Sequence, residues 1–189
     1  EWFMTPQTVN AYYAPFWNEM VFPAAILQPP YFHAAFHPSL NYGAIGAIMG
    51  HEMLHAFDTY GQRFDKDGRE ADWWKPAAKR EFLRRAKCVT QYYQNYTLHG
   101  QPLAGFNELT ENIADLGGVK FAFKALVERL RRAAAGGPRL PELPAEQTGG
   151  LTPEQLFFVS YGQTWCSKAD PEFEMRMMQS DAHSPPFAR

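Results

Sequence analysis

The chain has 189 residues, enough for one domain with a hydrophobic core or for a piece of a larger one. An apolar share of 46% with 20% charged residues excludes a disordered chain, and a net charge of −2 gives no reason to expect nucleic acid or an acidic membrane surface as partner. No apolar run approaches the roughly 18 residues that would span a bilayer.

Residues 1–40 carry Pro6, Pro15, Pro23, Pro29, Pro30 and Pro38, a density that no long helix survives. Between them, Val9-Asn10-Ala11-Tyr12-Tyr13 and Glu19-Met20-Val21-Phe22 predict a two-stranded unit with a turn. Asn41 is a candidate cap for a buried helix from Tyr42 to Phe57. Gly43, Gly46 and Gly50 within it point to close packing against a neighbour. Asp65-Lys66-Asp67-Gly68 reads as a turn. A helix is predicted from Pro76 to about Tyr96, with Phe82, Ala86, Val89 and Tyr93 on one face and Lys79, Arg80 and Arg84 on the other. Another runs from Thr110 to about Ala134, basic at its C-terminal end where the helix dipole favours cations. Residues 133–150, rich in Ala, Gly and Pro, read as a loop. Thr152, Pro153 and Gln155 then form the signature of a capping box opening a further helix through Trp165. Both ends of the sequence look cut, as in a fragment.

The chemistry centres on His51-Glu52-Met53-Leu54-His55. Residues four apart on a helix lie about 40° from one another, so both imidazoles project from one face and suit two ligands of a tetrahedral zinc. Glu52 sits on the adjoining flank, within reach of a water on that metal. A catalytic zinc needs a third protein ligand, and no histidine follows His55 until His99. Glu111 is the better candidate. It shares a helix face with Asp115, among Ile113, Ala114, Leu116, Gly117, Gly118 and Val119. A carboxylate pair in such apolar surroundings needs a cation to answer it. One carboxylate can bind the metal while the other orients a ligand imidazole. Asp58 is a second candidate for orienting, with an ordinary surface role equally open.

Five blocks in order extend the pattern beyond that pentapeptide. They are Val9 to Tyr13, Phe22 to Pro30, Asn41-Tyr42-Gly43 leading into the His/Glu helix, Glu111 to Gly118, and Asp181 to Pro185. In these the chain resembles the C-terminal catalytic region of the neprilysin and endothelin-converting-enzyme family of zinc metallopeptidases. The resemblance implies a mainly α (α+β) fold, the zincin-like, thermolysin-like catalytic lobe with a small N-terminal β unit. Across 1–189 it implies one catalytic domain incomplete at both ends. Residues 1–40 would form the substrate edge, 41–132 the zinc-site helices, 133–150 a loop, and 151–189 a C-terminal helix with a substrate-binding loop.

The resemblance also assigns roles. His51, His55 and Glu111 would hold one Zn(2+) per chain, Glu52 would be the general base, and Asp115 would orient His51. His183 would stabilise the oxyanion, Asn10 and Ala11 would hold the substrate backbone, and Arg189 would hold a carbonyl on the leaving-group side. The implied function is a zinc metalloendopeptidase, a hydrolase cleaving oligopeptides through a zinc-activated water. An N-terminal lobe and a C-terminal tail are expected to complete the enzyme. No role is implied for His33 or His37. A zinc-stabilised binding module, the rival from another class, would have no need of Glu52.

Two cysteines, Cys88 and Cys166, and the glycosylation triplet Asn95-Tyr96-Thr97 lean towards an extracellular or membrane-anchored ectodomain. From count alone, two buried thiols in a reducing compartment are equally open. The resemblance implies that each cysteine pairs with a partner in the missing parts.

Overall fold

The computed structural model describes residues 2–103 and 109–189. The proline-dense N-terminal stretch forms no helix longer than one turn before Pro38. Its two strands, β1 (Tyr12–Ala14) and β2 (Glu19–Val21), pair antiparallel with Tyr12 opposite Val21 and Ala14 opposite Glu19. Ala11, Ile26 and Ile45 close a small core beneath them.

The helix that carries the two paired histidines begins earlier than the sequence suggests. It runs through α1 (Pro38–Asn41), a π turn (Tyr42–Gly46) and α2 (Ala47–His55). Its cap is His37 and not Asn41: Pro38 pre-sets the first helical φ, and the buried His37 Nδ1 accepts from the Ser39 amide at 3.1 Å. Asn41, already helical, clasps the backbone of His33, accepting from its N–H at 3.1 Å and donating to its carbonyl at 2.9 Å. The helix stops at His55, where Ala56 and Phe57 turn back onto Met53 and Leu54.

Downstream lies α3 (Pro76–Tyr93), with Ala86 and Tyr93 buried and the Lys79, Arg80 and Arg84 face exposed as its periodicity requires. A hairpin the sequence reading omits follows, β3 (Thr97–Leu98) and β4 (Gln101–Pro102). It turns at His99 and Gly100, which both adopt positive φ. The helix α4 (Leu109–Ala134) follows, basic in its last turn. Within 133–150 a single turn, α5 (Ala145–Thr148), interrupts what composition reads as loop. The helix α6 (Pro153–Thr164) opens on the expected capping box, with Thr152 and Gln155 exchanging side-chain-to-backbone bonds. A last helix, α7 (Pro171–Ser180), was not anticipated. Its signal is Asp170 capping the Phe173 amide with Pro171 at the first position. None of its residues is fully buried, and only Met175 and Met178 pack, half-buried, against Tyr93, Leu98 and Leu103, too short a stripe to announce a helix. Cys88 and Cys166 are both free and exposed, which removes the reading of two buried thiols.

The centre of the fold is the crossing of α2 and α4. A Cβ on Gly50 would lie 2.6 Å from the Gly118 carbonyl oxygen, and one on Gly118 would lie 2.5 Å from the His51 amide nitrogen. The glycines thus let two backbones touch where any side chain would hold them apart. Gly43, in the π turn, meets Phe157 of α6 in the same way. Around these approaches Ala47, Ala122, Leu126 and Phe157 form the main core. Phe157 and Leu126 are fully buried, each stabilising by about 1.5–3 kcal/mol relative to exposure. No helix among the described residues is long and apolar enough to cross a membrane.

Candidate active site

The backbone contact between α2 and α4 brings His51, His55 and Glu111 together. A ligand atom from each lies within 4.8 Å of the other two. Glu111 Oε2 stands 3.2 Å from His51 Nε2 and 3.4 Å from His55 Nε2. Each imidazole is held from behind by a carboxylate. Asp115 Oδ1 lies 2.8 Å from His51 Nδ1, and Asp58 Oδ2 lies 2.6 Å from His55 Nδ1. Asp58 is itself fixed, because its Oδ1 accepts from the amides of Tyr60 at 2.7 Å and Gly61 at 2.8 Å. The surface reading of Asp58 is therefore wrong; the residue is 1% exposed.

These partners decide what the site can hold. A carboxylate at Nδ1 draws the ring proton there and leaves the Nε2 lone pair outward. The two Nε2 atoms lie 3.0 Å apart, so close that a proton or a metal ion must be shared between them. Among the described residues the buried Glu111 Oε2 makes no hydrogen bond of ordinary geometry, although three imidazole nitrogens surround it. In a tetrahedral zinc site neighbouring ligand atoms stand about 3.3 Å apart, close to what is seen here. The donor set of two imidazoles and one carboxylate fits a divalent metal ion of the zinc type.

The electrostatics follow the same geometry. Burial works against the charge of His55, but the bond to Asp58 and the nearby negative charge of Glu111 overcome it and push its pKa up to about 10. His51 is raised in the same sense, with Asp115 and Glu111 outweighing burial. Burial would raise Glu111 as well, yet the imidazoles of His183, His51 and His55 hold it far below the usual carboxylate range. Glu52, 5% exposed and lining the same cleft, goes the other way, because burial lifts its carboxyl above its ordinary value.

The cleft is about 610 Å³ and is lined by the residues to which the resemblance assigns a role, His51, Glu52, His55, Glu111 and Asp115 with Asn10, Ala11, His183 and Arg189. Asn10 and Ala11 lie just before β1, and Asn10 Oδ1 accepts from the Ala11 amide at 2.9 Å. His183 Nε2 faces Glu111 Oε2 at 3.1 Å, while Asp181 Oδ1 engages its Nδ1 at 2.7 Å and its amide at 2.9 Å. Arg189 grips Asp115 with Nε at 2.7 Å and Nη2 at 2.8 Å. Its guanidinium lies 3.8 Å over the Trp165 ring. Asp115 thus serves His51 and Arg189 together.

The match to known proteins agrees with this geometry. The model of peptidase family M13 covers residues 10–189. The chain belongs to peptidase family M13. It is 44% identical to human endothelin-converting enzyme 1 over 185 residues, 98% of this chain and 23% of that protein. It is equally identical to neprilysin-3 of Drosophila melanogaster over 184 residues, 97% of this chain and 23% of that protein. Among solved structures, the zinc metalloprotease Zmp1 of Mycobacterium tuberculosis superposes with a TM-score of 0.87 at 42% identity, over 98% of this chain and 28% of that one. PepO from Lactobacillus rhamnosis does so at 0.81 and 31%, over 98% and 26%. The M13 chain therefore spans about a quarter of the length of these relatives. The mainly helical zinc-protease fold expected from the five blocks is the one observed.

Within the candidate site, sequence reasoning gave no role to Trp165, nor to Asp181, Asn112 and Ser184, although these three stand in the blocks that carry the resemblance. Asn112 alone left a local signal, an amide between Glu111 and Ile113 on a helix face that is otherwise apolar.

Proposed function

We propose that this chain is the catalytic part of a zinc-dependent endopeptidase that hydrolyses internal peptide bonds of oligopeptides. The observation that carries the reading is a buried Glu52 beside two imidazoles whose Nε2 atoms converge with Glu111. His51, His55 and Glu111 would hold one Zn(2+), with Asp115 and Asp58 fixing the two rings. Bound there, the zinc would supply Lewis acidity to the scissile carbonyl and lower the pKa of a water.

Glu52 would take the proton of the attacking water and hand it to the leaving amine. Burial lifts its carboxyl above the ordinary value, the direction that makes a carboxylate a better proton acceptor. His183, held by Asp181 and raised by Glu111 against the pull of burial, would donate to the oxygen that gains charge. Asn10 and Ala11, beside the edge of β1 that β2 leaves uncovered, would take the extended substrate backbone. Arg189 would bind a substrate carbonyl through Nη1, since Nε and Nη2 are committed to Asp115.

The relatives' length makes further parts of the full protein necessary to this proposal, as a cover for the cleft and a source of partners for Cys88 and Cys166. An exposed Asn95 in its acceptor triplet and two exposed thiols support an extracellular or membrane-anchored ectodomain.

The test is cleavage of a quenched fluorescent peptide with and without chelator, by the parent and by Glu52→Gln. Chelator-sensitive cleavage that falls at least ~100-fold in the variant, with zinc still bound, is expected. Cleavage that survives chelation would overturn the metal mechanism. Zinc lost from Glu52→Gln would make that residue a ligand and leave the base unassigned.

A further inference from the structure

Besides the approach of His183 itself to Glu111, the segment that carries His183 bonds to the helix α4 at two places among the described residues. One is the Arg189 grip on Asp115. The other lies beside the histidine itself: Ser184 Oγ donates to Asn112 Oδ1 at 2.7 Å. Ser184 is 2% exposed and Asn112 is wholly buried. Asn112 follows Glu111 on α4 and Ser184 follows His183, so this bond joins the neighbours of the two groups that stand 3.1 Å apart in the site.

The choice of Asn at position 112 is a costly one. Its Nδ2 is buried without a hydrogen-bond partner among the described residues, and an unsatisfied buried amide destabilises the fold. An apolar residue would pack better there, since Ala114, Gly118 and Leu109 on the same helix are all buried. The Asp181 bonds do not replace it. They are local to residues 181–183, so they set the tilt of the imidazole but not its distance from α4.

We propose that Asn112 is a positioning residue: through Ser184 it sets the distance between His183 and Glu111, and so the place where His183 meets the oxyanion. The inference rests on the peptidase reading for what His183 does, but not for where the ring stands.

The test is a double-mutant cycle on the zinc-loaded protein. Asn112→Leu removes the acceptor and the unpaired amine at similar volume. It should lower kcat about tenfold, the loss of one positioning hydrogen bond, with KM and zinc content unchanged and thermal stability no lower. In a His183→Ala background the same substitution should change kcat less than about twofold, since there is no imidazole left to place. An equal loss in both backgrounds, or loss of zinc, would overturn the proposal and make Asn112 a structural residue of the helix. Ser184→Ala serves as the second route should Asn112→Leu not fold, with the same non-additivity expected.

Should the parent cleave no peptide, the peptidase reading fails and the positional claim is still decided by NMR. Asn112→Leu should displace the ring resonances of His183 and leave those of His51 and His55 in place. Unmoved His183 resonances would refute it.

Discussion

The two walls of the cleft are built on different principles. The α2–α4 wall is set by contact of backbone on backbone, with Gly50 and Gly118 as the touching points. The convergence of His51, His55 and Glu111, the candidate metal ligands, is there inherited from helix packing. The wall formed by residues 181–189 has little packing of that kind against α4. It is fixed by individual polar bonds, Ser184 to Asn112 and Arg189 to Asp115. The first wall should therefore fail when an atom is added, and the second when a polar atom is taken away.

The largest effect is expected from adding one methyl group to the packed wall. In Gly118→Ala the new Cβ would stand 2.5 Å from the His51 amide nitrogen and 2.9 Å from the Ala47 carbonyl oxygen, both backbone atoms that cannot swing aside. The helices must separate, at a cost of about 3 kcal/mol by the usual scale of overpacking. Thermal unfolding should report that loss, and zinc titration should show weaker binding because Glu111 moves away from the histidines. Near-parental stability and affinity together would show that the wall is more plastic than its contacts imply.

That wall was also the legible one. The spacing of His51 and His55, and of Glu111 and Asp115, is a local pattern that a helix turns into a shared face. Glycines inside a buried helix announce the close approach. The capping box at Thr152 and Gln155 is local in the same way. The second wall rests on pairs 72 and 74 residues apart, Asn112 with Ser184 and Asp115 with Arg189, for which no periodicity gives a sign. His183 and Arg189 entered the reading through family resemblance, not through physics.

Local signals that were present but weak were also lost. His99-Gly100 turns a hairpin without the usual Asn-Gly. Asp170-Pro171 opens a helix that only half-buries Met175 and Met178. Asn41 looked like a cap until Pro38 had already started the helix.

A middle-sized effect should come from Asp58→Asn, which changes the support of one ligand while leaving the helix contact alone. Losing such a carboxylate behind a metal-bound imidazole weakens metal binding about 10- to 100-fold. A pH signature separates this from simple unfolding. The carboxylates that push His55 up to about 10 make protons compete with the metal for Nε2. Apparent zinc affinity should therefore fall as pH drops below that value, by up to about tenfold per unit for each proton displaced. Asp58→Asn removes the foremost attraction raising His55, so the dependence should become shallower as well as lower. A parallel downward shift with unchanged slope would mean that Asp58 acts only through the turn it caps at Tyr60 and Gly61.

The smallest effect is expected on the polar wall, from Arg189→Lys. A lysine keeps the charge but cannot bond both oxygens of Asp115 in the planar fashion of Nε and Nη2. It also loses the flat stacking on Trp165. If the two walls are separable, KM should rise about fivefold while kcat and zinc affinity stay within about twofold of the parent. If zinc affinity falls in step with KM, Asp115 is transmitting the change to His51, 2.8 Å away on its other side. The arginine would then belong to the metal wall as much as to the substrate. Its paired hydrogen bonds to Asp115 provide the route for that second outcome, because one carboxylate oxygen, Oδ1, accepts from both residues. Measuring zinc affinity and KM on the same preparation decides between them.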